Sequence, residues 1–359
     1  MSTKRTLVWG LSNNRAGTEK VIDTYCSAMP DCHFDFLCYE YPAVYTRLIE
    51  NPNNRVFTIP IKIKNPIKNA ISIRQFSSQH KNEYETLWMN INDISNLDLL
   101  KLAANSLNIP QRIIHMHNAG VPNNPVTKVF SRINRGTLAE YATDYWACSK
   151  SAGDYLYGES KYQIIPNLVD DKRVAFSAKK RIETRAKYGI KEDELLIGSI
   201  GRLEEQKNYS QLLLIFSELL KSKSSSKLMI VGSGKQEDLL RRMVNDLEIT
   251  EKVTFLKSTK DVQAYYSAFD VIAYPSLYEG LSLAILEAQY NGLPCILSSG
   301  ISQECKICSS TTFIDVKATN DWVSAILSAD RETNYPLPES NYFKLSNINN
   351  ILSTYFNWA

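Results

Sequence analysis

The feature that most restricts the fold of this chain is an alternation of short apolar runs with longer amphipathic segments, repeated through both halves. The runs predict β-strands at residues 6–11, 33–39, 55–59, 112–117, 145–148, 163–165, 195–200, 227–231, 253–256, 271–274, 295–297 and 312–314. Most of the runs are near-continuously apolar and do not show the alternation of apolar and polar residues. This pattern is typical of strands that are buried on both faces of a parallel sheet.

Amphipathic helices are predicted between the strands. The apolar residues of segment 212–220 repeat at the spacing of one helix face. A second helix is predicted to begin near Ser282 and to end at Asn291, because Gly292 and then Pro294 follow as a typical stop signal. Strands that alternate with helices form α/β folds, so the sequence predicts two doubly wound parallel sheets of the Rossmann-like kind.

The length and the pattern together predict two domains. A chain of 359 residues suits two domains, at about 100–200 residues per domain. We place the boundary at Asp170-Asp171, before a charged helix predicted at residues 179–188. This gives an N-terminal domain of residues 1–170 and a C-terminal domain of residues 171–340. Apolar residues at helical spacing predict a last helix within residues 341–359, which could pack back on the first domain.

The charge of the chain argues against a nucleic-acid partner. The net charge is only +3, and no nucleic acid is expected to bind. Basic residues are nevertheless unevenly placed. The segment Ile61–Arg74 has four basic residues and no acidic one, and a second basic stretch includes Lys128, Arg132 and Arg135. Ordinary solvated surface explains both stretches, and attraction to anionic lipid headgroups is the alternative.

The sequence indicates a cytoplasmic protein. The apolar segment near the N-terminus ends at Ser12 and is too short for a signal peptide, and no apolar run approaches the ~18–20 residues of a membrane span. Seven cysteines, most of them with hydrophobic neighbours, suit a reducing compartment. Peripheral binding to the cytoplasmic membrane is a further hypothesis, based on the basic segments.

Two acidic residues in the second half are the strongest candidates for a binding site. Glu279 follows the strand predicted at 271–274, and Glu287 lies in the helix predicted from Ser282. Open α/β sheets bind ligands at the carboxyl ends of their strands, and helix N-termini bind phosphate. At ~1.5 Å per residue, Glu287 lies on the order of 8 Å into the helix. One acid could therefore bind a sugar and the other a ribose across a diphosphate; two solvated surface acids are the alternative.

Two cations are the second candidates. Arg202 and Lys207 follow the strand predicted at 195–200 and precede a helix, again at the carboxyl end of a strand. A guanidinium group offers a planar pair of donors and an ammonium group offers a point charge, and both suit phosphate oxygens. An exposed basic pair without a ligand is the alternative.

A pair of histidines is the third candidate. His115 and His117 lie on one face of the strand predicted at 112–117. Such a pair can bind a metal, but no carboxylate cluster accompanies it, no Asp-x-Asp occurs in the chain, and Cys305 and Cys308 form only half of a zinc site. We therefore expect no metal. His115 suits a structural role in the core, whereas His117, nearer the strand end, is the better candidate for a ligand contact.

Glycines follow strands at two places. Gly17 follows Arg15-Ala16 and precedes a helix predicted from Glu19, and Gly232 and Gly234 follow the strand at 227–231. At both places the glycines would allow the backbone to approach a ligand, or they would form an ordinary strand-to-helix turn.

Taken together, these motifs resemble glycosyltransferase family 4, a retaining family of the GT-B fold in which two Rossmann-like domains face each other across a cleft. The likeness is most specific in the second half, in segments 201–202, 207–208, 231–234, 275–281 and 287–289. Within the family the chain most resembles bacterial enzymes of exopolysaccharide and capsule assembly, through segments 115–118, 146–150, 165–167 and 287–295, of which the three in the first half are the looser.

The resemblance implies a role for each candidate residue. Glu279 would face the hydroxyls of the donor sugar, and His117 would reach that sugar from the other domain. Glu287 would bind the ribose. Arg202 and Lys207 would bind the diphosphate and stabilise the leaving group. Contacts with the donor are also implied for Gly17, Gly280, Leu281, Ser282 and Leu283. The family usually has two glycines in the N-terminal loop, where this chain has Ala16-Gly17.

The activity implied by the resemblance is that of a retaining hexosyltransferase. The donor would be a nucleotide sugar, with UDP as the expected nucleotide. The acceptor would be a hydroxyl of a glycan or a lipid-linked saccharide in cell-surface polysaccharide assembly. No cofactor and no metal are expected. Without a metal ion, cationic side chains of the protein would have to neutralise the departing diphosphate. A GT-B-type nucleotide-sugar epimerase and a non-catalytic nucleotide-sugar binder are the alternatives; release of nucleoside diphosphate on adding an acceptor separates a transferase from a binder.

Overall fold

The computed structural model describes residues 5–14, 17–62, 64–118, 125–257, 259, 261–331 and 342–356 of the chain. The chain divides into two compact units. The N-terminal unit comprises Met1–Leu168 and Asn347–Ala359, and the C-terminal unit comprises Val169–Ser346. Each unit contains a parallel sheet whose strands are connected by helices. The predicted α/β class with two Rossmann-like domains is confirmed.

The sheet of the N-terminal unit has seven parallel strands within the described residues, in the order β3-β2-β1-β4-β5-β6-β7. The strands are β1 (Arg5–Trp9), β2 (His33–Cys38), β3 (Arg55–Thr58), β4 (Tyr84–Ile91), β5 (Gln111–Met116), β6 (Asp144–Ala147) and β7 (Gln163–Ile164). The helices of this unit are α1 (Gly17–Ser27), α2 (Thr46–Ile49), α3 (Pro66–Gln79), α4 (Asp98–Asn105), α5 (Pro125–Tyr141), α6 (Lys150–Tyr157) and, at the C-terminus, α14 (Ile348–Tyr355).

The sheet of the C-terminal unit has six parallel strands within the described residues, in the order β10-β9-β8-β11-β12-β13. The strands are β8 (Leu195–Ile200), β9 (Ser226–Val231), β10 (Val253–Leu256), β11 (Val271–Tyr274), β12 (Cys295–Ser298) and β13 (Thr311–Ile314). The helices are α7 (Asp171–Val174), α8 (Ala178–Lys187), α9 (Tyr209–Ser222), α10 (Glu237–Asp246), α11 (Val262–Ala268), α12 (Leu283–Tyr290) and α13 (Thr319–Ser328).

The central strand β4 is the one strand of the described residues that the sequence pattern does not predict. It pairs with both β1 and β5 and is buried over most of its length. Glu85, Thr86 and Asn90 interrupt its apolar run, so the run is not recognisable as a buried strand. The structure provides partners for the buried polar groups: the Thr86 hydroxyl donates to Gln111 Oε1 at 3.1 Å, and Asn90 lies beside a histidine of β5's carboxyl end. A buried strand can carry polar residues when each has a partner.

The division into units differs slightly from the predicted domain bounds. The C-terminal unit begins at Val169, and its edge includes a segment predicted to belong to the last helix. The Val169 N–H donates to Phe343 O at 2.8 Å, and the Leu345 N–H donates to Val169 O at 2.8 Å. These backbone bonds tie residues 342–346 to the C-terminal unit, so only the chain from Asn347 onward lies with the N-terminal unit.

The last helix, α14, packs on the N-terminal unit through the aromatic residue that follows it. The Phe356 ring stacks on Tyr25 with 5.2 Å between ring centroids, and its edge contacts Trp88 and Trp146 at 5.5 and 5.0 Å. Stacked and edge-to-face aromatic pairs stabilise such a contact by about 0.5–1.5 kcal/mol beyond the apolar area that they bury. Within the described residues, no helix combines the length and the apolar character that a bilayer span requires.

The strand order reverses once in each sheet, between β1 and β4 and between β8 and β11. At such a switch point the loops that leave the two neighbouring strands run in opposite directions and open a crevice outside the carboxyl ends of the strands. Doubly wound sheets bind ligands in this crevice. The fold therefore defines one candidate binding position in each unit.

Candidate functional site

Two loops meet at the switch point of the C-terminal unit. The first follows β8 and includes residues 201–208, and the second follows β11 and includes residues 275–282. Three hydrogen bonds join them: Leu277 N–H to Gln206 O at 2.8 Å, Gln206 Nε2 to Tyr278 O at 2.9 Å, and Asn208 Nδ2 to Pro275 O at 3.1 Å. Asn208 has a left-handed backbone, with φ of 53°, immediately before α9. The two loops thus form one connected surface, which brings the two strongest sequence motifs together.

An ion pair between Lys207 and Glu279 lies at the centre of this surface. The Lys207 ammonium group contacts Glu279 Oε1, and the two side chains are only 14% and 10% exposed. Glu279 is also fixed through its backbone, because its N–H donates to Gly300 O at 3.3 Å and its carbonyl accepts from the Ser302 N–H at 3.1 Å. Lys207 and Glu279 are therefore not two solvated charges but a mutually neutralising pair. The sequence predicts each residue for the site but not their contact.

Arg202 presents a free charge on the loop that also carries Lys207. Its side chain is exposed, and among the described residues it makes no hydrogen bond or ion pair. It lies two residues beyond the last residue of β8, at the carboxyl end of the strand. A guanidinium group that the protein does not itself neutralise is available to an anionic ligand.

Glu287 lies in α12, one turn and more beyond its start. The side chain is buried, with 5% of the residue exposed, and its Oε2 accepts a hydrogen bond from the Tyr266 hydroxyl at 3.1 Å. Burial, followed by the charge of Glu287, raises the pKa of Tyr266 well above its usual value, so the hydroxyl stays protonated and remains a donor. The interpretation of Glu279 and Glu287 as solvated surface acids is therefore wrong. Tyr266 is a site neighbour that the sequence does not indicate.

The start of α12 lies between the two acids. Ser282 occupies the N-cap position with an extended backbone, and within the described residues its side chain makes no capping hydrogen bond. Gly280, Leu281, Ser282 and Leu283 are all buried or nearly so. Backbone N–H groups of a first helical turn have no partner within the helix, and the helix dipole favours an anion there. This arrangement fits the predicted diphosphate contact, which remains a prediction.

The glycines after β9 have a structural role. A Cβ on Gly232 would lie 1.8 Å from Gly201 O, and a Cβ on Gly234 would lie 2.3 Å from Leu203 O. A side chain at either position would therefore collide with the backbone of the loop that carries Arg202. These glycines are needed for the close approach of two loops, and they keep the Arg202 loop in place.

In the N-terminal unit, the histidine pair lies at the carboxyl end of β5. The rings of His115 and His117 are 4.1 Å apart between centroids. His115 is fully buried, and its Nδ1 accepts from Trp88 Nε1 at 3.3 Å. His117 Nε2 lies 2.9 Å from Asn90 Oδ1, while Asn90 Nδ2 faces Trp88 O at 3.5 Å. The amide oxygen thus faces the imidazole, so Nε2 carries the proton and donates.

Both imidazoles are neutral at neutral pH. Burial lowers the pKa of His117 to about 3, and burial followed by the nearby His117 lowers the pKa of His115 well below its usual value. With its proton on Nε2, His117 has an acceptor at Nδ1, and this atom has no partner within the described residues. A neutral acceptor nitrogen is complementary to a hydroxyl group, and not to a phosphate.

The glycine that the N-terminal switch point requires is Gly10, which the sequence does not single out. Its φ is +111°, and a Cβ there would lie 2.7 Å from Asn90 O. A side chain would push against the residue that holds His117. The predicted candidate, Gly17, is the first residue of α1, two residues before the predicted helix start, and a Cβ there would meet no atom within 4 Å. Arg15 and Ala16 lie outside the described residues.

Among the described residues there is no group of three or more His, Cys, Asp or Glu side chains that could hold a metal ion. Cys305 and Cys308 are free thiols. The Cys305 thiol lies 3.2 Å from Gly280 O, and the Cys308 backbone N–H donates to Gln289 Oε1 at 3.0 Å. These contacts give the two cysteines a place in the packing around the loop that precedes α12.

Two Rossmann-like units, each with the strand order of a doubly wound sheet, constitute the GT-B fold of glycosyltransferases. HepE of Anabaena, solved in complex with UDP-glucose, superimposes on this chain with a TM-score of 0.81 at 16% sequence identity, over 99% of this chain and 100% of HepE. Residues 180–329, which include every candidate residue of the C-terminal unit, match the family model of glycosyl transferases group 1.

Two relatives are similar in sequence. EpsF of Bacillus subtilis (strain 168), which is named as a glycosyltransferase, is 29% identical over 84% of this chain and 81% of its own length. The UDP-Gal:alpha-D-GlcNAc-diphosphoundecaprenol alpha-1,3-galactosyltransferase of Escherichia coli is 34% identical over 41% of this chain and 39% of its own length. Together with the family match, these similarities support glycosyltransferase activity with a nucleotide sugar.

Proposed function

We propose that this chain is a retaining hexosyltransferase of glycosyltransferase family 4, which transfers a sugar from a UDP-sugar to a hydroxyl of a lipid-linked saccharide in cell-surface polysaccharide assembly. The observation that carries the proposal is the convergence of Arg202, Lys207 and Glu279 on the switch point of the C-terminal unit, next to the start of α12. The names of the relatives agree with it: one uses UDP-Gal and a diphosphoundecaprenol acceptor, and the fold neighbour was solved with UDP-glucose.

In the C-terminal unit, we assign the cationic residues to the diphosphate of the donor and the acidic residues to its sugar and ribose. Arg202 and N–H donors of the Lys207 ammonium group bind the diphosphate, while the same ammonium group forms an ion pair with Glu279. In the reaction the bond between the anomeric carbon and the diphosphate oxygen breaks. The acceptor oxygen forms its bond on the same face of the sugar, and its proton passes to the departing diphosphate oxygen. Negative charge grows on the diphosphate, and preorganised cations stabilise that charge.

The test is the stoichiometry of transfer. We expect the purified protein to release one nucleoside diphosphate for each glycosylated product when a UDP-sugar and a lipid-linked saccharide are supplied. Both products are measured in the same reaction, and the anomeric configuration is read by NMR. A binder would release no nucleoside diphosphate. A nucleotide-sugar epimerase would convert the donor into its epimer and form neither free nucleoside diphosphate nor a glycosylated product. An inverted product would contradict the retaining assignment.

We further propose that transfer requires no divalent metal, because Arg202, Lys207 and the start of α12 supply positive charge to the diphosphate. The same assay is therefore run after treatment with EDTA, and the rate should stay within about twofold of the untreated rate. Loss of activity that returns only on addition of Mg²⁺ or Mn²⁺ would contradict this part of the proposal and leave the transferase assignment intact.

A membrane-facing surface is proposed on helices α3 and α5. Helix α3 connects β3 to β4, and α5 connects β5 to β6, and both connections run across the sheet toward β7. Because crossovers between parallel strands are right-handed, the two helices lie on the same face of the sheet. α3 exposes Ile67, at 75%, and Ile71, within the basic segment Ile61–Arg74. α5 likewise exposes Phe130, at 52%, together with Val129 and Ile133, among Lys128, Arg132 and Arg135. Exposed apolar side chains surrounded by basic ones are complementary to an anionic lipid surface.

This proposal predicts that the protein sediments with vesicles that contain phosphatidylglycerol and not with pure phosphatidylcholine vesicles. High salt should release it, because charges are screened beyond ~10 Å at ~0.1 M. Ile67→Ser and Phe130→Ser should each weaken binding about fivefold, since each removes an apolar contact of roughly 1 kcal/mol. The control is Ile182→Ser, which changes an isoleucine of α8 that is 70% exposed in the C-terminal unit. Equal binding to both vesicle types, or to neither, would refute the proposal.

A further inference from the structure

The switch point of the N-terminal unit opens into a cavity of about 500 Å³ that contains none of the candidate donor-site residues. Its wall is formed where β1, β2, β3 and β4 end and where α1, α3 and α4 approach them. Gly10 and Asn90 both line the cavity. A side chain at Gly10 would collide with Asn90, and Asn90 in turn is hydrogen-bonded to His117. The cavity therefore reaches the residue that positions His117. The volume suits one or two sugar rings.

The charges of the wall have one sign. Four carboxylates line the cavity, and no lysine or arginine is among its described lining residues; the four are Glu19, Glu40, Asp93 and Asp98. Glu19 is buried, and its Oε1 accepts from the Ser12 hydroxyl at 2.6 Å. Glu40 Oε1 accepts from the Asn13 N–H at 3.2 Å. Asp98 is partly compensated, because the Lys62 ammonium group contacts it at the rim.

Asparagine amides and aromatic side chains form much of the remaining wall of the cavity. Five asparagines line the cavity, namely Asn14, Asn69, Asn90, Asn92 and Asn96. Trp9 and Tyr39 also line it and pack edge to face with 4.9 Å between ring centroids. Carboxylates accept hydrogen bonds from hydroxyl groups, amides both donate and accept, and an aromatic face covers the apolar C–H face of a sugar ring. The combination is that of a site for a neutral, hydroxyl-rich ring.

We infer that this cavity binds an uncharged sugar residue of the acceptor and excludes uronic acids and phosphorylated sugars. Binding of an uncharged sugar is inferred from the cavity alone; the statement that this sugar belongs to the acceptor rests on the proposed transferase function. A carboxylate or phosphate on the ring would meet Glu19, Glu40 and Asp93 without a compensating cation in the described wall. Like charges at close range disfavour binding, and a site that leaves a buried anion unpaired discriminates strongly. The diphosphate of a lipid-linked acceptor would then lie outside the cavity.

The experiment measures binding directly, by saturation-transfer NMR on the full chain. The probes are methyl glucoside, methyl galactoside and methyl N-acetylglucosaminide, together with methyl glucuronide and methyl galacturonide. We expect at least one neutral glycoside to bind, and its matching uronide to bind about tenfold or more weakly. Glu40→Gln removes an exposed wall charge and should reduce that preference severalfold. Tyr39→Ala should abolish the signal of the neutral sugar, whereas Tyr41→Ala, two residues further along and outside the lining, should retain it.

The outcomes separate this inference from the proposed function. Equal or tighter binding of the uronides, absence of binding by every neutral glycoside, or a signal that Tyr39→Ala leaves unchanged would each overturn the inference. Binding of a UDP-sugar is measured independently by thermal shift. A protein that binds the neutral glycosides at Tyr39 but neither binds nor turns over a UDP-sugar would keep the saccharide site and lose the transferase function.

Discussion

Replacement of Arg202 by alanine should lower the kcat of sugar transfer by about 10²–10³ while leaving the stability of the fold almost unchanged. The rate loss follows from removing a preorganised cation at the departing diphosphate. The unchanged stability follows from the structure, because the Arg202 side chain is exposed and has no ion pair or hydrogen bond in the part of the chain that is described. Surface substitutions of this kind usually change the free energy of unfolding by less than about 0.5 kcal/mol.

Lys207→Ala should differ from Arg202→Ala in its effect on stability. It should cause a rate loss of similar size, but it also leaves the Glu279 carboxylate largely buried without its cation. Breaking a buried ion pair costs about 3 kcal/mol of folding free energy, so the melting temperature should fall as well. The variants are therefore compared by kcat at a temperature where both remain folded, and by urea unfolding.

Matched controls separate loss of a site charge from loss of charge in general. Arg242→Ala removes another exposed arginine of the C-terminal unit, on α10. Lys221→Ala removes another ion-paired lysine, whose partner is Glu218 on the surface of α9. Both controls should retain normal kcat and normal stability. If Arg202→Ala and Lys207→Ala also turn over at near-normal rates, the assignment of the diphosphate to these cations is wrong.

The fold of the C-terminal unit could be predicted closely because most of its strands are near-continuously apolar. β8, β10 and β11 have the predicted bounds, and Gly292, with φ of +77°, follows the end of α12 as its stop signal. The fold of the N-terminal unit is harder to predict from the sequence, because its central strand β4 carries polar residues. Whether Asn90 belongs to a buried strand depends on His117, which is 27 residues away in sequence. A local pattern contains no information about such a partner.

For the candidate site, the sequence predicts a set of residues but not the contacts among them. Arg202, Lys207 and Glu279 are predicted for the site because residues at the carboxyl ends of parallel strands gather at one edge of the sheet, and Glu287 is predicted for it because it lies in the helix that follows. The burial of Glu287 under Tyr266 and the ion pair of Lys207 with Glu279 depend on how separate elements pack. The same holds for Gly10, whose importance arises from the position of the Asn90 backbone. Each of these contacts joins residues that are distant along the chain.

The two acids of the C-terminal unit should fail in different ways when each is changed to glutamine. Glu287 is assigned to the ribose, which is the same in the ground state and in the transition state, so Glu287→Gln should raise the apparent KM for the donor about tenfold and leave kcat within about twofold. Glu279 is assigned to the reacting sugar, whose ring gains positive charge as the bond breaks. Glu279→Gln should therefore lower kcat about 10–100-fold with a smaller change in donor binding.

The ion pair between Lys207 and Glu279 leads to a further prediction about double variants, which the sequence alone does not give. Since Lys207 contacts Glu279, the losses in kcat/KM caused by Lys207→Met and Glu279→Gln should not add in the double variant, whereas those of Glu287→Gln and Arg202→Ala should add approximately. Such a cycle distinguishes a residue that acts through its neighbour from one that acts independently.

The measurement is donor-dependent kinetics on each variant, with folding checked by circular dichroism. The control is Glu183→Gln, which changes an exposed glutamate of α8 whose partner is Lys179, and it should match the parent protein in kcat and KM. If Glu279→Gln changes only KM while Glu287→Gln changes only kcat, the two roles are reversed. If neither variant differs from the parent, neither carboxylate contacts the donor. Because both carboxylates are largely buried beside a single switch point, the proposed donor site would then have to be abandoned.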